Sequence, residues 1–376
     1  MKKIKIGFVT FPIGEANVVP LLNIIDICLE ITNDIYIITG NSGQKINRKL
    51  SEEHFKILNH ISGSNIIARI FNYIKTQIKV TIAMLTFSNK VDIWIFPIGG
   101  NSLLLSALTL KIQRKPYLFL LTSSSHLMFQ YQKDRLNHIP VFFERLCSLL
   151  SKNIILYSPN LIEEWNLAPY RHKILIAHHH FLDFTKFTII TPYSDRPPLI
   201  GYIGRLSAEK GVQHFAEALS AILSKHQDLR VLIGGDGSLK DAIEASLQEE
   251  GIADHVNLPG WISHDDLPKY LNQLRLLVLP SYTEGLPNIM LEAMACGTPV
   301  LATPVGAIPD VIQDEVTGFI MENNTPECIA QNVMRALNHP DLEGIAERGR
   351  QYVAREFTFE KAVERWQHIL TKIKCY

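Results

Sequence analysis

Two clusters in the second half of the sequence combine residue types suited to holding a phosphorylated ligand. The first is GYIGRLSAEKG (201–211), in which an apolar run ends at Gly204, a short loop carries Arg205 and Lys210, and a helical pattern begins near Gly211. That pattern repeats Val212, Phe215, Ala216, Leu219, Ile222 and Leu223 on one face. Free N–H groups at a helix start, with the helix dipole behind them, attract an anion, and two permanent cations reinforce that. An ordinary strand-to-helix turn with solvated charges uses the same residues, so the loop alone leaves both readings open. The second cluster is EGLPNIMLEAMACGTPV (284–300). Pro287 suits a first helical position and Gly297 the residue past the helix end. Glu284 then sits in the loop before the helix, where a carboxylate also serves as a simple complement to the dipole. The N–H groups of Gly285, Leu286 and Asn288 are available to a phosphate. Glu292 lies on the helix among Ile289, Met290, Leu291, Ala293 and Met294, and a charge in such company needs a partner or a polar ligand.

These loops need rigid elements to hold them, and the sequence supplies a regular alternation of short β-rich runs and helical patterns. Strands are expected at 4–10, 34–40, 91–97, 116–121, 153–158 and 173–178, then at 198–204, 229–235, 255–260, 275–281, 299–303 and 318–321. Strands separated by helices predict parallel sheets, hence an α/β protein with two doubly wound domains facing a cleft at the carboxyl ends of their strands. TPYSDRPP (191–198) is the linker candidate, which gives domains at 1–190 and 191–356. The last stretch, 357–376, reads as a long amphipathic helix packing back on the first domain.

The two clusters resemble the phosphate loop and the E-x7-E motif of family-4 retaining glycosyltransferases, which have the GT-B fold. The spacing from Glu284 to Glu292 fits that motif, and so do IGGDG (233–237), LPG (258–260) and TPVGAIPDVI (303–312). The resemblance implies an enzyme that moves a sugar from a nucleotide diphosphate donor to a glycan or lipid-linked acceptor in cell-surface polysaccharide synthesis. It further implies that the first domain binds the acceptor and the second the donor. In these terms Gly204, Arg205 and Lys210 bind the diphosphate, Glu284 holds hydroxyls of the transferred sugar, and Glu292 bonds the ribose. Gly234, Gly235, Asp236, Pro259 and Gly260 line the nucleoside. Gly14, in FPIGEAN (11–17), lets the first domain approach the diphosphate, although the family has more glycine there. His126, in TSSSHLMF after the strand at 116–121, matches a loop histidine that the family places near the sugar. HHFLDFTKF (179–187) keeps Asp183 and Phe187 of the family's Asn-Gly-Val-Asp turn but departs from it at His180 and Phe181.

A departing diphosphate needs compensating charge. No Asp-x-Asp pair of the kind that holds a divalent metal occurs in the sequence, so Arg205 and Lys210 are expected to act as fixed electrostatic stabilisers without a metal or other cofactor. The run His178–His180 suggests a metal site, but neighbours on a strand point to opposite faces, which argues against it. The five cysteines form no CxxC pair and their number is odd, as suits free thiols in a reducing cytosol.

Net charge is zero, yet residues 1–190 carry 21 Lys and Arg against 12 Asp and Glu, while residues 191–376 carry 16 against 25. No acidic residue occurs from Phe55 to Val91. Within that stretch, residues 64–85 place Ile66, Ile67, Ile70, Phe71, Ile74 and Ile78 at helical intervals, with Arg69, Lys75 and Lys79 between them. Such a helix either lies on an anionic membrane surface or buries its apolar face in the domain. No apolar run reaches the ~18 residues of a membrane span, so the expected location is the cytoplasm, with peripheral attachment to the membrane. The basic half has no nucleic-acid-reading motif. A sugar-nucleotide epimerase on the same fold, or a non-catalytic sugar-nucleotide-binding module, are the other readings. The Glu pair with the Arg/Lys loop favours transfer over both.

Overall fold

The computed structural model describes residues 4–49, 51–124 and 138–374. The chain divides into two compact units, one of Met1–His180 with Phe359–Tyr376 and one of Phe181–Thr358.

The first unit is built on seven parallel strands: β1 (Ile6–Val9), β2 (Ile35–Thr39), β3 (Phe55–Ile57), β4 (Ile93–Phe96), β5 (Tyr117–Leu120), β6 (Asn153–Leu156) and β7 (Ile174–Ile176), in the order β3-β2-β1-β4-β5-β6-β7. The central strands are buried along their whole length, as parallel strands covered on both faces must be. β3 is absent from the sequence reading because it is a three-residue edge strand with only Phe55 buried, and so it shows no apolar run. The terminal helix Phe359–Lys374 belongs to this unit and packs on the helix Val18–Ile31. Its fully buried Trp366 donates from Nε1 to the His178 carbonyl at 3.2 Å.

The helix Ile66–Phe87 carries apolar side chains on both faces. Its inner face buries Val80, Ala83, Met84 and Phe87 together with Thr76, Gln77 and Thr81; Gln77 Nε2 donates to the Ser102 carbonyl, and the Thr81 and Ser106 hydroxyls are 3.0 Å apart. Its isoleucines face out, with Ile67 81% and Phe71 65% exposed and Ile74, Ile78 and Ile82 following at helical intervals. Among the described residues no helix is long and apolar enough to cross a membrane.

The second unit has six parallel strands: β8 (Leu199–Ile203), β9 (Arg230–Gly234), β10 (Val256–Gly260), β11 (Leu276–Leu279), β12 (Val300–Ala302) and β13 (Phe319–Ile320), in the order β10-β9-β8-β11-β12-β13. Pro259 is tolerated because β10 is an edge strand, where a missing N–H breaks no ladder on the open side. The segment 191–198, expected as a linker, is packed into this unit, and the chain passes between units at His180–Phe181, ten residues earlier. The cause is side-chain hydrogen bonding. Arg196, 2% exposed, donates to the carbonyls of Thr191, Leu274 and Cys296 and to the Thr298 hydroxyl. The Asn272 amide joins the N–H of Ile190 to the carbonyl of Thr188.

The histidine run also differs from expectation. β7 ends at Ile176, so the alternation of a strand does not govern residues 178–180. His179 and His180 are both buried, their rings stacked at 5.0 Å, and His178 lies beside Arg365. Among the described residues no three His, Cys, Asp or Glu side chains are grouped to hold a metal. The four described cysteines are buried thiols.

Burial holds the His179 imidazole down to about 4, and burial followed by Arg365 holds His178 to about 3. In the unfolded chain both return to about 6.5. The unfolded state therefore binds more protons below that pH, and stability falls as pH drops from about 6.5 toward 4. His179→Leu should flatten this loss by roughly 3 kcal/mol over that interval. A series of thermal melts from pH 7 to pH 4 checks it, and an unchanged slope contradicts it.

Candidate functional site

In the second unit the order of strands reverses direction between β8 and β11, the switch point at which open α/β sheets bind ligands beyond the carboxyl ends of their strands. The loops that follow β8, β9, β10 and β11 all emerge at that edge. They carry most of the residues singled out in the sequence.

The loop after β8 is pinned from several sides. Gly204 N–H donates to the Gly234 carbonyl at 3.0 Å, Leu206 N–H to the Asp236 carbonyl at 2.9 Å, and Gly235 N–H to the Gly260 carbonyl at 2.7 Å. Gly235 has φ +133°, and a Cβ there would run into the Gly204 carbonyl oxygen, so only glycine lets these two loops approach. Tyr202, buried beneath, donates its hydroxyl to the Arg205 carbonyl at 2.6 Å. Burial, then the nearby carboxylates of Glu284 and Glu209, push its phenol well above the usual range, so it remains a donor. The helix Val212–Lys225 starts behind Gly211, whose φ of +66° and contact with the Pro280 carbonyl likewise exclude a side chain. All six apolar positions expected on its inner face are buried.

Lys210 crosses the switch point. Its Nζ donates to Glu284 Oε1 at 2.7 Å, and the Ser281 hydroxyl donates to the same oxygen at 2.8 Å. Oε2 of Glu284 has no protein partner among the described residues. Arg205 is 59% exposed, and one nitrogen, Nη1, bonds Glu209 Oε1 at 3.2 Å. Glu209 is fixed in turn by the Ser207 hydroxyl at 2.7 Å. The remaining guanidinium donors have no partner among the described residues. Two cations thus stand at one edge, each in contact with one carboxylate, and Arg205 is the more exposed of the two.

The helix Asn288–Ala295 begins one residue later than expected, with Pro287 as its N-cap in extended backbone. The N–H groups of Gly285, Leu286 and Asn288 have no acceptor among the described residues. The helix closes through Gly297 N–H to the Met294 carbonyl and Thr298 N–H to the Ala293 carbonyl, a Schellman arrangement. Glu292 is 7% exposed, and its charge has a partner that the sequence did not reveal: His264 Nε2 lies 2.9 Å from Oε1. His264 belongs to the loop after β10, four residues beyond Gly260. No sequence motif marks it, because it acts through a contact between separate loops; Ser281 and Glu209 act within their own loops, on Glu284 and on Arg205.

Gly204, Arg205, Lys210, Gly234, Gly235, Asp236, Pro259, Gly260, Glu284, Gly285, Leu286, Asn288 and Glu292 therefore all lie on the four adjoining loops, their bounding strand ends and the helix that follows. Gly14 belongs to the first unit, exposed and in extended backbone before a short 3-10 turn. His126 lies outside the described residues.

Residues 184–352 match the family model for glycosyl transferases group 1. The alpha-D-kanosaminyltransferase of Streptomyces kanamyceticus is 32% identical over 181 residues, 48% of this chain and 47% of that protein. The capsular polysaccharide biosynthesis glycosyltransferase CapM of Staphylococcus aureus is 31% identical over 163 residues, 43% of this chain and 42% of that protein. The chain thus spans under half the length of these relatives. In fold the likeness extends further. Anabaena HepE, solved in complex with UDP and glucose, superposes with a TM-score of 0.75 at 17% identity, over 98% of this chain and 99% of that one. With its two parallel-sheet units, the chain has the GT-B fold.

Gly235→Ala should lower stability by about 1–3 kcal/mol, since its backbone region is open to glycine alone. Gly14→Ala, at φ −82° with nothing within 4 Å of the added carbon, should leave the melting temperature nearly unchanged. Equal melting temperatures for Gly235→Ala and the parent protein would contradict the close approach of the two loops.

Proposed function

We propose, from the match of residues 184–352 to the glycosyl transferases group 1 model, that the protein transfers a sugar from a nucleotide diphosphate donor to a glycan or lipid-linked acceptor, with retention of anomeric configuration and without a metal ion. The observation that carries this reading is the Lys210–Glu284 pair at the β8/β11 switch point, with Arg205 beside it.

As the bond to the sugar breaks, negative charge grows on the diphosphate. Lys210 and Arg205 neutralise it from fixed positions, and the N–H groups of Gly285, Leu286 and Asn288 add donors at a helix start. Glu284 acts through both of its oxygens. Oε1 orients the Lys210 ammonium, which keeps two further donors for phosphate oxygens, while Oε2 accepts a hydroxyl of the sugar. Glu292 receives the ribose, and the backbone of Gly234–Asp236 and Pro259–Gly260 lines the nucleoside. The relatives named above are glycosyltransferases, which favours transfer over epimerisation, and the CapM match favours polysaccharide synthesis as the setting. The first unit, which carries Gly14, takes the acceptor, and the resemblance adds His126 as a residue that serves the sugar.

The outward isoleucines of Ile66–Phe87 support a further element: the first unit rests on the inner, anionic face of a membrane, where a lipid-linked acceptor is at hand. Arg69, Lys75 and Lys79 are exposed on the same helix and have no carboxylate partner among the described residues. Each contributes about 1 kcal/mol of attraction near an anionic surface, while burial of the isoleucines adds about 25 cal/mol per Å² removed from water.

Lys210→Ala should lower kcat by about 10²–10³-fold with folding retained, as for loss of one pre-organised donor, and EDTA should leave the parent enzyme's rate unchanged. Turnover assays with a sugar-nucleotide panel check both, and a rate abolished by EDTA and restored by Mn²⁺ contradicts the metal-free step. For the membrane, sedimentation with phosphatidylglycerol vesicles at low salt should capture the protein, phosphatidylcholine vesicles should not, and Phe71→Ser with Ile74→Ser should abolish capture. Equal recovery with both lipids would sink the attachment.

A further inference from the structure

The pairing of His264 with Glu292 is part of a longer chain of contacts. Lys186 Nζ lies 3.1 Å from His264 Nδ1 and donates to Asp265 Oδ1 at 2.6 Å. An ammonium only donates, so Nδ1 of His264 must be the acceptor. The ring proton is therefore on Nε2, which donates to Glu292 Oε1 at 2.9 Å. Lys186 is in turn set by the turn at 183–187, where Asp183 Oδ1 accepts from the Thr185 N–H at 2.9 Å, the Thr185 hydroxyl at 2.6 Å and the Lys186 N–H at 3.3 Å. The buried Phe187 ring meets the His264 ring edge-on at 5.2 Å. One side chain, His264, thus meets Oε1 of the buried carboxylate, and the turn at 183–187 holds that side chain from behind.

We propose that His264 is a positioning residue for the donor. Its Nε2–H commits Oε1 of Glu292, and this fixes the carboxylate plane so that Oε2, which has no protein partner among the described residues, faces a hydroxyl of the bound nucleotide. Lys186 selects the tautomer that makes this possible. The inference rests on the reading that Glu292 meets the donor's ribose, and it gives a buried carboxylate a hydrogen-bond partner before any ligand arrives. The turn at 183–187 thereby sets the orientation of a residue that itself never touches the nucleotide.

Isothermal titration of UDP, GDP and ADP and their 2′-deoxy and 3′-deoxy forms tests it without turnover. For the nucleotide that binds, His264→Ala should weaken the ribose form about tenfold, the loss of roughly one charge-assisted hydrogen bond's worth of orientation. The deoxy form lacking the bonded hydroxyl should be nearly unaffected. His264→Gln, whose amide N–H can replace Nε2–H, should restore most of the difference, and Lys186→Met should lie between the two. His264 is half-exposed, and melting temperatures confirm that the variants fold. If His264→Ala weakens ribose and deoxy forms alike, or leaves both unchanged while Glu292→Gln removes the ribose preference, His264 does not position Glu292. If no nucleoside diphosphate binds the parent protein, the donor reading fails first and the inference with it.

Discussion

The site depends on a contact between two loops that are 74 residues apart in sequence: the Lys210 ammonium against the Glu284 carboxylate. Neither charge is fully solvated, so each stabilises the other's position, and together they bridge the loops that leave β8 and β11. Everything that brings them there is backbone. The strands are parallel, their order reverses between β8 and β11, and the carbonyl of Pro280 sits where a side chain at residue 211 would be. The result is a rigid edge at which a cation is held ready before any anion arrives, the condition under which electrostatic stabilisation costs no reorganisation.

The second carboxylate is held by different means. Glu292 rides on an eight-residue helix whose last turn is fixed from below by Arg196, which bonds the carbonyl of Cys296 and the hydroxyl of Thr298. A buried guanidinium is costly unless its donors are satisfied. Here it has four acceptors, which ties the entry segment of the second unit to the helix that carries the carboxylate. The proline-rich stretch at 191–198 reads as a linker on composition, but its arginine makes it structural. His264 and Lys186 then set Glu292 through its side chain, so that the orientation of one oxygen involves the turn at 183–187, the loop after β10 and the helix itself.

The first unit shows the opposite economy. The helix Ile66–Phe87 buries Val80, Ala83, Met84 and Phe87 alongside threonine and glutamine, yet presents its isoleucines and Phe71 to solvent. Hydrogen bonds from Gln77 and Thr81 satisfy the polar atoms buried on its inner face. The apolar area it exposes is larger than scattered surface leucines would explain, and the cations along the same helix give that area an electrostatic preference.

The fold class was legible in the sequence because parallel strands buried on both faces leave continuous apolar runs, and helices between them leave a different period. All the expected strands are present, and only the short edge strand at Phe55–Ile57 left no such trace. The cations of the 204–211 loop and the spacing of Glu284 and Glu292 were likewise readable, since a loop before a helix and a carboxylate eight residues further on are local features. Partnership was not. That Lys210 meets Glu284, that Arg196 anchors a helix 100 residues away, that His264 holds Glu292, and that the isoleucines of residues 66–87 point outward are all decided by contacts between distant segments. Residue type and local period state what a side chain can do, and only the packing of one element on another determines which groups it does it with.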